Sequence, residues 1–394
     1  MNTEEPIHIV HVVGKVVTGG VDAVVMNYYR HINRSKIQFD FIMDGYGKTP
    51  IDEEIIAMGG RIYKVEPYDK NILKNFLQYY RIFKINHYQI VHAHLNTLSV
   101  FPLLAATLAG VKIRIAHSHS TAVKSEYIRT AAKYMLRPFA TLFSTHYCAC
   151  SAYAGKWLFG MRSFQAGKIR IIPNAIEIER FSFDAETRSH TRSLLNLGDA
   201  FVVGHVGRFM YQKNHDFVID IFQEIYNECP NSLLLLVGSG ELEGEVRDKV
   251  KYLGLDKSVR FLGVRFDVPQ LLQAMDVMLF PSRYEGLGLV TIEAQAAGLP
   301  VIVSQVVPAE AKVTDLLYYC TLKQPSADWA KAAIAITHGN VRHSNTPELY
   351  KAGLDINQSA RELAVWYEQL FGECNTGQKT KATSNKERAE TVSY

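Results

Sequence analysis

From Ile7 onward, short apolar runs alternate with amphipathic stretches, and the whole series occurs twice. The first series has runs near 7–13, 37–43, 61–65, 90–93, 113–117 and 146–150, most of them separated by helical patterns, and it continues to Ile171-Ile172. A strand covered on both faces reads as a continuous apolar run, so this order specifies parallel sheets flanked by helices. After Pro173-Asn174 an irregular charged stretch leads to Gly198-Asp199, and a second series follows at 201–206, 232–237, 259–262, 277–280 and 300–304. The fold class is α/β, with two doubly wound, Rossmann-like domains and a hinge near 173–198. At 394 residues the chain has room for two cores.

The expected bounds are 1–180 and 181–356. A helix over 357–372 follows, in which the pattern from Ala360 to Phe371 places its apolar residues on one stripe and ends at Gly372. The tail, 373–394, has no Leu, Ile, Phe, Met or Trp and is expected to be disordered, because it cannot bury enough surface to offset its ordering entropy.

Hydrophobic residues make up 47% of the chain and charged residues 21%, which excludes a disordered or collagen-like protein. The opening Met1-Asn2-Thr3-Glu4-Glu5-Pro6 lacks the positive start of a signal peptide, and the longest charge-free stretches are too polar to span a bilayer, so a cytoplasmic location is expected. Five scattered cysteines suit a reducing compartment, and Cys148-x-Cys150 reads as a pair of buried thiols. Through Arg180 there are 22 Lys plus Arg against 13 Asp plus Glu, so the first domain carries +9 of a chain whose net charge is +4. A basic domain without zinc-finger, arginine-rich or aromatic RNA-binding signatures points to an anionic lipid surface or an acidic substrate, with no nucleic-acid partner. Within it, the stretch 124–138 reads as a helix with Arg129, Lys133 and Arg137 on one side, suited to weak attachment to an anionic membrane.

Ligands of open parallel sheets sit where strands end and helices begin. After the first strand, Gly14-Lys15-Val16-Val17-Thr18-Gly19-Gly20 precedes a helical pattern; Gly19 and Gly20 allow close approach to phosphate or sugar, and the Walker order is absent. After the strand at 201–206 comes Gly207-Arg208-Phe209-Met210-Tyr211-Gln212-Lys213-Asn214, where Arg208 and Lys213 suit a diphosphate. Gly238-Ser239-Gly240 imitates a dinucleotide fingerprint, with Gly244 one place late for its third glycine. In Pro281-Ser282-Arg283-Tyr284-Glu285-Gly286-Leu287-Gly288-Leu289, Glu285 lies in a glycine-flanked loop and Glu293 lies eight residues on in a helix. Two acceptors at that spacing can grip hydroxyls at two ends of one ligand, with the Gly286 to Leu289 amides directed at the phosphate between them.

Together, GRFMYQKN, LLLVGSGEL, CSAYAGKWLFG, IIPNAIEIERF and the run from Arg260 to Ser304 resemble the retaining, nucleotide-sugar-dependent glycosyltransferases of family 4, most closely the branch that builds bacterial exopolysaccharide and capsule. The resemblance covers about residues 7–371. It implies a GT-B fold whose two domains face a central cleft, with the C-terminal helix packed back on the first domain. It further implies Arg208 and Lys213 on the donor diphosphate, Glu293 on the ribose, Glu285 on the transferred sugar, amides of Gly286, Leu287, Gly288 and Leu289 around phosphate and sugar, and Gly19 and Gly20 closing over the donor. A first-domain histidine beside the sugar is implied as well. Of His117 and His119, His119 is preferred, while His92 and His94 shape the acceptor side.

The implied partners are a UDP- or other nucleotide-sugar donor and a lipid-linked saccharide acceptor at the inner face of the membrane. With no Asp-x-Asp pair, no metal cofactor is expected. The usual glycine pair after the strand ending at Ser304 is replaced here by Gln305-Val306-Val307-Pro308-Ala309-Glu310. A sugar-nucleotide 2-epimerase, an NAD-dependent oxidoreductase and a non-catalytic carbohydrate-binding protein are the competing readings.

Overall fold

The central strands of the first series join one parallel sheet with their side chains covered on both faces, while the edge strands are half-covered. In the computed structural model, which describes residues 5–16, 20–119, 135–338 and 342–390, the strands are β1 (Ile7–Gly14), β2 (Ile37–Asp44), β3 (Ile62–Val65), β4 (Ile90–Ala93), β5 (Ile113–Ser118), β6 (His146–Ala149) and β7 (Ile169–Ile171). Their order is β3-β2-β1-β4-β5-β6-β7. The second series gives β8 (Phe201–Val206), β9 (Ser232–Val237), β10 (Val259–Gly263), β11 (Val277–Phe280), β12 (Val301–Ser304) and β13 (Leu317–Cys320). They are ordered β10-β9-β8-β11-β12-β13. Both orders reverse direction beside the first strand, at β1/β4 and at β8/β11, and the crevice at such a reversal is where doubly wound sheets take ligands.

The chain divides into two units, Met1–Ala175 with Ile356–Tyr394, and Ile176–Asp355. In the second, Val203, Leu234, Leu236, Val277 and Leu279 are buried on one face of the sheet and Val202, Leu235, Met278, Phe280 and Val301 on the other. Alternate residues of one strand thus feed both cores, and each fully buried Val or Leu contributes about 1.5–3 kcal/mol relative to exposure.

The last helix runs Ile356–Glu390. Its buried Ala360, Leu363, Ala364, Tyr367 and Leu370 recur at helical spacing, and it packs on the first unit, where the Tyr367 hydroxyl lies 2.6 Å from His92 Nδ1. The helix does not stop at Gly372, and the backbone stays helical where a disordered tail is expected. A single glycine costs a helix only about 1 kcal/mol relative to alanine, and no proline follows it.

Arg129 and Lys133 lie outside the described residues; Arg137 opens the short 3-10 turn Arg137–Ala140. No helix among the described residues is long and apolar enough to cross a membrane.

Candidate functional site

In the second unit, the loops that leave β8 and β11 meet at the sheet's reversal. Lys213 closes the 3-10 turn Tyr211–Lys213, and its Nζ lies 2.5 Å from Glu285 Oε1 and 4.4 Å from the centre of the Phe280 ring. Glu285 also accepts a hydrogen bond from Ser282 Oγ at 3.0 Å. The loops are stitched by Arg283 N–H to Gln212 O at 2.8 Å, Gln212 Nε2 to Tyr284 O at 2.9 Å and Asn214 Nδ2 to Pro281 O at 3.0 Å. The structure thus joins two residues that lie 72 apart in the sequence. An ammonium has three N–H donors, so Lys213 can hold Glu285 and still meet an anion. Arg208, on the same loop, has no ion pair or side-chain hydrogen bond to any described residue.

The Glu285 loop ends at Gly288, whose φ of 77° is left-handed and whose position leads into the helix Leu289–Ala296. A side chain there is strained, and its Cβ would stand 3.2 Å from the Phe280 ring. Leu287 is buried in the core. The N–H groups of Gly286, Leu287 and Gly288 donate to no described residue, which leaves a row of donors at a helix start, the arrangement that attracts anions.

Glu293 is half-buried on that helix. Removal from solvent pushes its carboxyl up to about 7, with the Arg180 guanidinium pulling the other way. The helix is clamped by Gln295, which donates to Thr291 O and Ala311 O and accepts from Val313 N, Thr314 N and Thr314 Oγ1. At its far end Arg342 donates to Leu272 O, Gln273 O, Met275 O and Ala297 O at 2.6–2.8 Å. Sequence reasoning missed both clamps; a buried glutamine on the apolar side of a helix was the available signal for one of them. After β12, Ser304 Oγ donates to Ser282 O at 2.6 Å, and Val307 joins the core. The end of β12 is thus tied to the Glu285 loop, and the segment in place of the glycine pair is anchored in the core by Val307.

The glycines that imitate a dinucleotide fingerprint have another use. A Cβ on Gly238 would lie 2.2 Å from Gly207 O, and one on Gly240 would lie 2.4 Å from Phe209 O. Gly207 N–H donates to Val237 O, Phe209 N–H to Ser239 O, and Leu242 N–H to Phe209 O. These glycines let one loop lie flat beneath the Arg208 loop, whereas Gly244 has nothing within 4 Å.

In the first unit, Gly20 has a φ of 83° and precedes the helix Val21–His31; Gly19 lies outside the described residues. His119 follows β5 and is buried. Its backbone N–H donates to Asn96 Oδ1 at 2.7 Å, and its Nε2 lies 2.8 Å from His94 Nδ1. His117 is buried beside it, with ring centres 4.0 Å apart. Burial lowers His119 to about 3 and His117 well below its usual range, so both are neutral. Two trios, His11/His92/His94 and His94/His117/His119, have nitrogens within 4.8 Å of one another, close enough to hold a metal ion.

Residues 18–180 match the family described as Glycosyltransferase Family 4, and residues 200–338 match the family described as Glycosyl transferases group 1. EpsF of Bacillus subtilis, named as a glycosyltransferase, is 32% identical over 376 residues, which span 93% of this chain and 97% of EpsF. An Escherichia coli protein named UDP-Gal:alpha-D-GlcNAc-diphosphoundecaprenol alpha-1,3-galactosyltransferase is 28% identical over 319 residues, 77% of this chain and 81% of its own length. Among solved structures, Anabaena HepE in complex with UDP and glucose superposes with a TM-score of 0.75 at 19% identity, over 92% of this chain and 100% of HepE. That likeness shows a shared fold.

Proposed function

The chain is a glycosyltransferase of family 4 with the GT-B fold, and from that premise we propose that it moves a sugar from a UDP-linked donor to a lipid-linked saccharide, with retention of anomeric configuration, in the assembly of exopolysaccharide or capsule. The observation that carries the reading is the meeting of Lys213 and Glu285 at the reversal of the second sheet, with the unpaired Arg208 on the same loop. The names of the Escherichia coli relative and of the HepE complex support the donor and acceptor classes.

As the bond between the anomeric carbon and the donor oxygen breaks, negative charge gathers on the leaving diphosphate. Arg208, Lys213 and the free amides of Gly286, Leu287 and Gly288 would stabilise it, an arrangement that needs no reorganisation during the step. Glu285 would hold a hydroxyl of the transferred sugar and Glu293 the ribose hydroxyls. From the first unit, His119 would meet the transferred sugar, and Gly19 and Gly20 would close over the donor. A dinucleotide-dependent oxidoreductase is not favoured, since Gly238 and Gly240 are accounted for by loop packing.

The test is a panel of nucleotide sugars with lipid-linked saccharide acceptors, read as released nucleoside diphosphate and as the anomeric configuration of the product by NMR. Transfer is expected from a UDP-sugar, with retention, and it is expected to survive EDTA because the loop supplies the cations. Loss of activity in chelator that Mg²⁺ or Mn²⁺ restores would contradict the cationic-loop mechanism, and an inverted product would contradict retention.

The Glu293 carboxyl gives a pH signature. Its pKa of about 7 in the folded chain means that a proton must leave before the group can accept two hydroxyl hydrogen bonds. UDP affinity should therefore rise with pH below about 7, by up to about tenfold per unit, and level off above it. Glu293→Gln should bind more weakly and lose the slope. Calorimetry at about pH 6, 7 and 8 reads both, and a flat wild-type profile would remove Glu293 from the ribose.

A further inference from the structure

Between Asp69 and Glu126 the sequence holds seven Lys or Arg and no Asp or Glu. Acidic residues are 39 of 394 in the whole chain, so a run of 56 without one departs from the mixed charge of an ordinary solvated surface. The run contains the helices Ile72–Ile85 and Val100–Ala109, which pack on each other and share a core with Val10, Val12 and Val91 of the first sheet.

On the first of these helices Asn75, Tyr79 and Phe83 form the buried line. At about 100° per residue, Leu73, Lys74, Leu77, Arg81, Lys84 and Ile85 fall within one arc of about 120° on the opposite side. All six are exposed, and the apolar three are well short of covered: Leu73 is 66% exposed, Leu77 44% and Ile85 73%. Lys74 Nζ lies 2.7 Å from Glu66 Oε2, whereas Arg81 and Lys84 have no ion pair with any described residue. The basic surface continues onto the second helix and beyond it. Lys84 and His87 line a cleft of about 180 Å³ together with Ala109 and Lys112, and Leu108, next to Ala109, is 59% exposed.

A lone exposed leucine is ordinary. Three apolar side chains set among cations, on a helix without an acid, have the composition of a helix that lies in the plane of a bilayer surface. There the methylene stems of Lys and Arg cover apolar surface while their charged ends stay at the level of the headgroup phosphates. A protein-binding face is depleted in Lys and enriched in aromatic rings, but this arc has two Lys and no ring.

We infer that the outer arc of the helix Ile72–Ile85, with Leu108 and Lys112 beside it, docks the first unit on an anionic lipid bilayer. Leu73, Leu77 and Ile85 enter the acyl boundary, and Arg81, Lys84 and Lys112 meet headgroup phosphates. The surface shares no residue with the stretch 124–138, and it lies on one unit alone, so it stands apart from the reading of the sugar transfer. Attachment of this kind is reversible, with an electrostatic part that salt removes and an apolar part that salt leaves.

The experiment is co-sedimentation of the full chain with vesicles of phosphatidylglycerol mixed into phosphatidylcholine, and of phosphatidylcholine alone, at low and high salt. The wild type is expected to bind the anionic vesicles at low salt and to bind the neutral ones at least about tenfold more weakly. Arg81→Glu with Lys84→Glu should weaken anionic binding by about tenfold or more. Leu73→Ser with Leu77→Ser should weaken it by a similar factor, about tenfold, and remove the part that resists salt. All four side chains are exposed, so circular dichroism is expected to be unchanged, and UDP affinity should equal that of the wild type, which separates this result from the assignment of the donor loop. No anionic binding by the wild type at low salt would overturn the inference, as would equal binding to neutral vesicles or wild-type binding by either double variant. A wild-type dimer in sedimentation velocity that Leu73→Ser with Leu77→Ser dissociates, without vesicle binding, would also overturn it and make a second copy of the chain the occupant.

Discussion

Arg208→Ala is expected to lower kcat by about 10²–10³ with the fold unchanged, because the side chain binds no described residue and, on the proposed assignment, would meet charge that appears during the reaction. Lys213→Ala should cost a comparable factor and carry a second penalty. Its ammonium balances Glu285, whose side chain is 6% exposed, and removing it leaves a nearly buried carboxylate short of a donor, at about 1–3 kcal/mol of stability. The two effects separate in a double variant: Lys213→Ala with Glu285→Gln should regain stability and stay inactive. Thermal denaturation and steady-state transfer measure both. Wild-type turnover in either single variant would refute the assignment of the diphosphate to this loop.

Gly240→Ala should be nearly as damaging, although Gly240 is assigned no contact with substrate. The new Cβ falls 2.4 Å from Phe209 O and 2.8 Å from Phe209 N, beside Arg208, so one of the two loops must shift. Overpacking of this kind costs about 1–3 kcal/mol, and if loop displacement absorbs it all, UDP affinity drops by about 5- to 150-fold. Gly244→Ala is the control. It meets nothing within 4 Å and lies in the helix Glu243–Tyr252, where alanine is favoured over glycine by about 1 kcal/mol. A dinucleotide fingerprint would make both glycines matter for ligand, whereas packing predicts that only Gly240 does. Calorimetry with UDP decides between them.

The sequence pattern located the buried strands closely. The run at 201–206 is β8 and the run at 277–280 is β11, since a strand covered on both faces has little freedom in composition. The edge strand β13 escaped, because its Tyr318 and Tyr319 face solvent and break the apolar run; β7, just three residues long, was visible only as the end of an alternation. At the site, residue types were legible and partnerships were not. Nothing local ties Lys213 to Glu285, and the pair forms only because parallel strands bring distant loops to one edge. The histidine trios were hidden for the same reason: His11, His94 and His119 come from three separate strand segments, and each alone reads as one more buried histidine.

The return of the chain to its first unit has a consequence for synthesis. The chain leaves the first unit after Ala175 and returns to it at Ile356, so a ribosome finishes the whole second unit before it supplies the helix bearing Tyr367. Until then the growing protein holds a continuous second unit and a first unit whose sheet lacks the helix that packs on it, with the ring of His92 uncapped. Maturation therefore runs against chain order: the part begun first is completed last, and its uncovered apolar face is the one that a nascent-chain chaperone would find.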